Sequence, residues 1–165
     1  MTTEQIRILN KLKEQPYILG HHLGFKDLRP INNEWIIDWV YGTEEETTLQ
    51  AHRGSYKTTS LALALVLYII LFPNLKVKFI RKNDAAVKEI VRQVSMMLKN
   101  SLVRDMVRII WGVELRLLVD SAFEIHTNLS NDPRGTSQLV ASGIKGSMTG
   151  QHYDRIFTDD IVTVD

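Results

Sequence analysis

The chemistry-bearing part of the chain begins with a basic loop between two apolar segments. The run Ala-His-Arg-Gly-Ser-Tyr-Lys-Thr-Thr at 51–59 follows a short β-type segment at 47–51 and precedes an apolar stretch at 61–72. A strand, a tight loop ending in Lys-Thr and a helix are the layout of a phosphate-binding loop. There, the N-terminal N–H groups and dipole of the helix attract an anion. The pattern predicts that Lys57 contacts β- and γ-phosphate oxygens and that the Thr58 hydroxyl ligates Mg²⁺.

The loop departs from the full consensus of this motif. In the pattern G-x-x-x-x-G-K-[ST], Ala51 stands at the first glycine and Tyr56 at the second, which leaves Gly54 to relax the backbone. An exposed basic turn before a buried helix is the alternative interpretation. If the loop binds a nucleotide, the residues that contact it are His52, Arg53, Gly54, Ser55, Tyr56, Lys57, Thr58 and Thr59.

Two adjacent carboxylates end a second apolar segment, far downstream. The run Ile-Phe-Thr at 156–158 leads directly into Asp159 and Asp160. Acids that end a buried parallel strand are delivered to the carboxyl edge of the sheet. We expect Asp159 to hold Mg²⁺ through water and Asp160 to orient or deprotonate the attacking water. Adjacent carboxylates repel each other unless a cation lies between them, which favours a metal-bound nucleotide over a surface turn.

Length and composition predict one globular domain. The chain has 165 residues, 44% of them hydrophobic and 24% charged, which is enough apolar content for a single core. Cysteine is absent, so disulfides and thiolate metal sites are excluded. The apolar run at 61–72 is shorter than the roughly 20 residues that a bilayer requires. A polar N-terminus without a signal-peptide pattern predicts a protein that is used inside a cell.

Positive charge is concentrated in the middle of the chain. The stretch 76–116 has ten Lys and Arg residues against four acids, although the net charge of the whole chain is only +1. Such a stretch can face nucleic-acid phosphates. The alternative is an ordinary solvated helix face.

Apolar periodicity and capping residues predict an alternation of helices and strands. Thr2 and Gln5 form a capping-box pattern that starts a helix ending near Glu14, whereas 17–30 is expected to be a loop. Further helices are predicted at 34–41 after an Asn-Asn cap, at 61–72, after a cap at 83 or 84, and at 102–110. Strands are predicted at 47–51, 76–81, 114–119, 122–127 and 138–142, followed by a last strand that carries Asp159 and Asp160. This order predicts an α/β fold with a mainly parallel sheet flanked by helices, in which both motifs meet at the carboxyl edge.

The same motifs resemble a known family. The run at 51–59, together with Gly-Ile-Lys-Gly-Ser-Met-Thr-Gly-Gln-His-Tyr-Asp-Arg-Ile-Phe-Thr-Asp-Asp-Ile at 143–161, is similar to the ATPase domain of the large terminase subunit of tailed bacteriophages, a DNA-packaging motor. The spacing Thr-Gly-x-x-Tyr-Asp-x-x-x-x-Asp-Asp is its more specific part. The resemblance implies a P-loop NTPase of the additional-strand Glu type. It also implies ATP and Mg²⁺ as cofactors, Arg53 acting on the γ-phosphate, and Asp160 in the place of the family's catalytic Glu.

The resemblance also implies an organisation and partners. Residues 1–165 would be the N-terminal part of the ATPase domain, with a helical segment at 1–42 and the P-loop core at 43–165. The family's nuclease domain and its additional strand have no counterpart in this sequence, so the domain is expected to be incomplete at its C-terminus. Implied partners are double-stranded DNA, a portal protein, a small terminase subunit and further copies in a ring, in the bacterial host cytoplasm and not at a membrane.

Two other functions remain open at this level. One is a helicase-like ATPase of another P-loop class, which the residues after Asp160 disfavour. The other is a degenerate P-loop scaffold that docks on DNA or protein without catalysis, which Tyr56 and Asp160 favour because they replace the expected Gly and Glu.

Overall fold

The computed structural model describes residues 1–44, 51, 54–146 and 151–159. Within them the helices are α1 Thr3–Glu14, α2 Tyr17–His22, α3 Pro30–Tyr41, α4 Lys57–Leu71, α5 Asp84–Lys99 and α6 Ser101–Trp111. The strands are β1 Val77–Arg81, β2 Leu117–Asp120, β3 Glu124–Thr127, β4 Leu139–Gly143 and β5 Arg155–Asp159. The strand predicted at 47–51 lies almost wholly outside the described residues.

The strands form one mixed sheet in the order β2-β3-β4-β1-β5. Strand β1 is parallel to both β4 and β5, whereas β3 is antiparallel to β4 and to β2. The predicted α/β class is therefore confirmed, and the strands predicted at 114–119 and 122–127 form a hairpin that adds an antiparallel edge to the parallel centre. Because β4, β1 and β5 run the same way, their carboxyl ends lie at one edge of the sheet.

Helix α4 is the centre of the core. Its sequence from Ser60 to Ile70 is buried without interruption, which is why it shows no polar face. It packs between α3 and α5. The Tyr68 ring also lies edge-on to Phe157 of β5, with ring centroids 5.7 Å apart, and its hydroxyl donates to the Trp39 carbonyl oxygen at 2.7 Å. The helix predicted at 61–72 is thus confirmed, and its first turn also contains the Lys-Thr pair.

Helix α5 begins and packs as its sequence predicts. The Asn83 side chain accepts a hydrogen bond from the Ala86 N–H at 2.9 Å, which caps the first turn. Its apolar stripe is buried, whereas Lys88, Arg92 and Lys99 are exposed. The helix lies against α4 and against strands β1 and β4.

Two predictions about the N-terminal segment were wrong. The stretch expected to be a loop contains α2, and α3 begins at Pro30 rather than at residue 34. Proline suits the first position of a helix because its fixed φ matches and its missing N–H is not needed there. Asn32 therefore lies inside the helix, where its Oδ1 accepts from the Arg29 N–H at 2.9 Å. On α3, Ile36 and Val40 are buried and the two tryptophans, Trp35 and Trp39, are half-buried.

The remaining helices and strands of the described chain are short and amphipathic. The capping box of α1 is formed, since the Thr2 side chain accepts from the Gln5 N–H and the Gln5 side chain accepts from the Thr2 N–H. The β2–β3 turn is closed by Ser121, whose hydroxyl oxygen accepts from the Glu124 N–H at 3.0 Å.

Among the described residues, every helix is too short or too polar to cross a lipid bilayer.

Candidate functional site

The basic loop reaches α4 through two left-handed residues. Gly54 has φ +80° and Tyr56, the residue before the helix, has φ +59°. That conformation suits glycine and is rare for tyrosine, so Tyr56 adopts a backbone conformation that a glycine would adopt more easily. The Asn32 side-chain amide donates to the Ser55 carbonyl oxygen at 2.8 Å, and the Tyr56 hydroxyl donates to Asp27 at 3.2 Å. The N-terminal segment thus holds the loop in place.

The N-terminus of α4 carries no side-chain cap from the described residues. The first intrahelical bond runs from the Ser60 N–H to the Tyr56 carbonyl oxygen at 2.9 Å. The N–H groups of the preceding turn, from Lys57 to Thr59, therefore point out of the helix end. Such groups, with the helix dipole, favour an anion.

Asp159 ends β5 beside this helix terminus. Its side chain is 1% exposed, and its Oδ1 lies 2.9 Å from Lys57 Nζ. The Thr58 hydroxyl donates to its Oδ2 at 3.4 Å, across 101 residues of sequence. The predicted meeting of the Lys-Thr pair with the downstream acid is confirmed.

Arg81 is a fourth member of this site that the sequence analysis did not single out. It ends β1 and stands directly opposite Asp159 in the parallel register. Its Nε lies 3.2 Å from Asp159 Oδ2, and its Nη1 donates to the Ala86 carbonyl oxygen at 2.9 Å. The position of this basic residue at the end of a predicted strand can be read from the sequence. The register that pairs it with Asp159 is not readable from the sequence.

The electrostatics of the site follow from burial. An ionised carboxylate removed from water requires compensating positive charge and hydrogen bonds. Asp159 has positive charge beside it from Lys57 and Arg81 and accepts a hydrogen bond from Thr58. Lys57 is the more exposed of the two cations, with 25% of its side chain accessible against 10% for Arg81.

The donor set fits a magnesium ion carried by a nucleotide. A threonine hydroxyl and a carboxylate are the hard oxygen ligands that Mg²⁺ accepts, and phosphates and water complete its shell in nucleotide sites. No group of three or more His, Cys, Asp or Glu side chains that could hold a metal occurs among the described residues, so they offer no cage made of protein ligands alone. Thr58 and Asp159 would therefore hold an ion that arrives with phosphates.

The remaining predicted site residues divide into two groups. Gly54, Ser55, Tyr56 and Thr59 belong to the loop and to the first turn of α4, although the Tyr56 side chain turns toward Asp27. His52, Arg53 and Asp160 lie outside the described residues, so their predicted roles stay predictions.

Several of the ten basic side chains at 76–116 are buried or form ion pairs within the fold. Lys76 and Lys78 are buried. Ion pairs join Lys99 to Asp120 at 2.6 Å, Arg104 to Glu114 at 2.8 Å and Arg108 to Asp105 at 3.0 Å. The exposed basic side chains of this stretch are Lys82, Lys88, Arg92, Lys99, Arg108 and Arg116, of which Lys99 and Arg108 form ion pairs. The surface that could contact DNA phosphates is therefore smaller than the sequence count indicates.

A second polar cluster lies at the opposite edge of the sheet. Asp154 accepts from the Lys76 N–H at 2.7 Å, and its own N–H donates to the Lys76 carbonyl oxygen at 2.8 Å. These bonds join the starts of β1 and β5. Lys76 itself is fully buried, and its ammonium nitrogen has no hydrogen-bond partner among the described residues. Burial lowers the pKa of Lys76, although Asp132 and Asp154 partly oppose the shift.

We expect Lys76→Met to stabilise the fold by about 1–2 kcal/mol at pH 7, because it removes a buried, unsatisfied ammonium. The unfolded chain binds this proton up to about pH 10.5, the ordinary pKa of lysine, whereas the folded chain releases it at lower pH. Stability of the original chain should therefore rise with pH through that window, and the variant should lose this slope. Urea unfolding at pH 7 and at about pH 9.5 measures both.

Lys13→Met is the control for this experiment, because Lys13 is exposed on α1. We expect no change in its unfolding free energy beyond about 0.5 kcal/mol. A Lys76→Met variant less stable than the original chain would mean that attraction to Asp132 and Asp154 outweighs the cost of burial.

No protein-family model matches the chain, and the comparison with curated proteins found no match. The structure on its own defines an α/β protein with a mixed, centrally parallel sheet flanked by helices. At the carboxyl edge of that sheet lies a buried carboxylate that contacts a helix N-terminal Lys-Thr pair and an arginine.

Proposed function

We propose that this chain binds Mg·ATP through a P-loop formed by residues 51–59 and is the ATPase part of a DNA-packaging motor related to large terminases. The observation that carries the nucleotide site is the 2.9 Å contact between Lys57 and Asp159, with Thr58 on the same carboxylate. A lysine and a hydroxyl at a helix N-terminus beside an acid that ends a parallel strand are the parts that phosphate-loop enzymes use. We also propose that the fold is of the additional-strand Glu class of P-loop NTPases.

Each residue of the site has a role in the proposed reaction. The N–H groups at the start of α4 and the Lys57 ammonium bind and orient the terminal phosphates. Thr58 and Asp159 would hold the Mg²⁺, which would neutralise charge on the phosphate oxygens. Arg53 would stabilise charge on the γ-phosphate, and Asp160 would orient or deprotonate the attacking water.

The motor function is supported by the sequence resemblance at 51–59 and 143–161. In this proposal ATP hydrolysis is coupled to translocation of double-stranded DNA into a procapsid by a ring of subunits on a portal, with a small terminase subunit as a further partner. Lys82, Lys88, Arg92 and Arg116 are the exposed basic residues available to DNA from the central stretch. The bacterial host cytoplasm is the proposed location.

Titration of a fluorescent ATP analogue with Mg²⁺ tests the nucleotide site. We expect Lys57→Ala to weaken binding by about 10- to 100-fold, because a charge-assisted contact to phosphate contributes roughly 1.5–3 kcal/mol. Lys13→Ala removes a lysine of the same type from an exposed position on α1 and should bind as the original chain does. Equal affinity in all three proteins would reject the proposed site.

A binding module without catalysis is the second candidate. Two observations favour it. The Asp159 carboxylate already lies beside two cations, and Tyr56, which replaces the second glycine of the motif, has a left-handed backbone conformation. In that case Lys57→Ala would leave nucleotide binding unchanged, while DNA or protein binding would persist. DNA affinity that does not change between about 50 and 200 mM salt would argue against phosphate contacts by the basic residues.

A further inference from the structure

Arg81 differs from Lys57 in how firmly it is held beside Asp159. Its Nη1 donates to the Ala86 carbonyl oxygen, and its Nε faces Asp159 Oδ2 at 3.2 Å, so the guanidinium bridges the first turn of α5 and the end of β5. Glu89, one turn further along α5, lies 3.8 Å from the same Nη1. A planar guanidinium with several fixed donors suits such a bridge.

The turn that anchors Arg81 is itself held against the sheet. The Asp84 side chain accepts from the Gly143 N–H at 2.9 Å, which ties the start of α5 to the end of β4. A Cβ on Gly143 would lie 2.9 Å from that carboxylate oxygen and 3.0 Å from the Asn83 backbone. A side chain at this position would force these atoms to shift, so the first turn of α5, which contains Ala86, packs closely on the end of β4.

The two oxygens of Asp159 therefore meet different cations. Oδ1 faces Lys57, whose flexible side chain is a quarter exposed, and Oδ2 faces the anchored and nearly buried Arg81. In the proposed function Lys57 turns to the phosphates of a bound nucleotide. Arg81 would then be the cation that stays beside the buried carboxylate and limits its rotation.

We propose that Arg81 is a positioning residue that holds Asp159 in the orientation needed to receive nucleotide-bound Mg²⁺. This inference rests on the proposed nucleotide site but assigns a role to a residue outside the loop and the acidic pair. If the inference holds, nucleotide affinity measured without metal depends on Lys57 and the start of α4. The additional affinity that Mg²⁺ provides depends on Arg81 as well.

The test measures binding of a fluorescent ATP analogue in EDTA and across a Mg²⁺ titration. For Arg81→Gln we expect unchanged affinity in EDTA and a loss of roughly 10- to 100-fold in the affinity that Mg²⁺ adds, the usual effect of removing a residue that orients a metal ligand. Arg81→Lys keeps a positive charge but not the fork, and should raise the half-saturating Mg²⁺ concentration by about threefold to tenfold. Arg7→Gln, at an exposed arginine on α1, is the matched control.

The possible outcomes are distinct. Equal Mg²⁺ dependence of the original chain, Arg81→Gln and Arg81→Lys would overturn the inference and leave the proposed site intact. A parallel loss in EDTA and in Mg²⁺ would also overturn it, since Arg81 would then only support the fold. If the original chain showed no Mg²⁺-dependent binding at all, the proposed function would fail and the inference with it. If Arg81→Gln does not fold, Arg81→Lys with its control decides the question.

Discussion

Asp159→Asn is expected to lower the free energy of unfolding by about 3 kcal/mol and to abolish stabilisation of the chain by Mg·ATP. The substitution keeps the volume of the side chain but removes the buried negative charge that lies beside Lys57 and Arg81. Truncating one partner of a buried ion pair costs roughly 3–5 kcal/mol, and the lower end applies because Lys57 can reach solvent. Urea unfolding and thermal melting with and without Mg·ATP measure the two effects.

Asp105→Asn is the appropriate control for that variant. Asp105 pairs with Arg108 at 3.0 Å, but both side chains are more than half exposed, and exposed pairs contribute at most about 1 kcal/mol. Its unfolding free energy and its response to Mg·ATP should stay close to those of the original chain. An Asp159→Asn protein that is as stable as Asp105→Asn would show that the buried cluster is not coupled as its geometry indicates.

Leu67→Ala is expected to lower the free energy of unfolding by about 3–5 kcal/mol, the upper range for truncation of a core leucine. Leu67 is fully buried in α4, between helices that pack on both sides, so the cavity cannot collapse easily. The loss should also weaken nucleotide binding indirectly, because the same helix begins with Lys57 and Thr58. Denaturant unfolding monitored by circular dichroism gives the change in stability.

Leu118→Ala provides the comparison for this core variant. Leu118 lies on β2 and is 59% exposed, so its truncation should change stability by less than about 0.5 kcal/mol. Equal effects of the two substitutions would contradict the placement of α4 at the centre of the core.

Local signals in the sequence predicted most of the elements. The capping box of α1, the Asn83 cap of α5 and the apolar run of α4 all depend on residues within a few positions of one another. The wrong prediction at 17–30 has a similar local origin: Gly20 is typical of a loop, yet it is buried inside α2. A Cβ there would lie 2.4 Å from Leu28, so this glycine serves close packing rather than a turn.

The candidate site was predictable in part, for a physical reason. A parallel strand delivers its last residue to the carboxyl edge of the sheet, so the sequence could predict that Asp159 lies at that edge. Whether Arg81 faces Asp159 depends on the register between β1 and β5, and a shift of one residue would turn that side chain to the other face of the sheet. Register is set by contacts between segments that are distant in sequence. Examples are the Phe157 ring against Tyr68 and the hydrogen bond from the Lys76 N–H to the Asp154 side chain. The chemistry of the two motifs could therefore be read from residue types alone, whereas the arginine that completes the cluster required the folded packing.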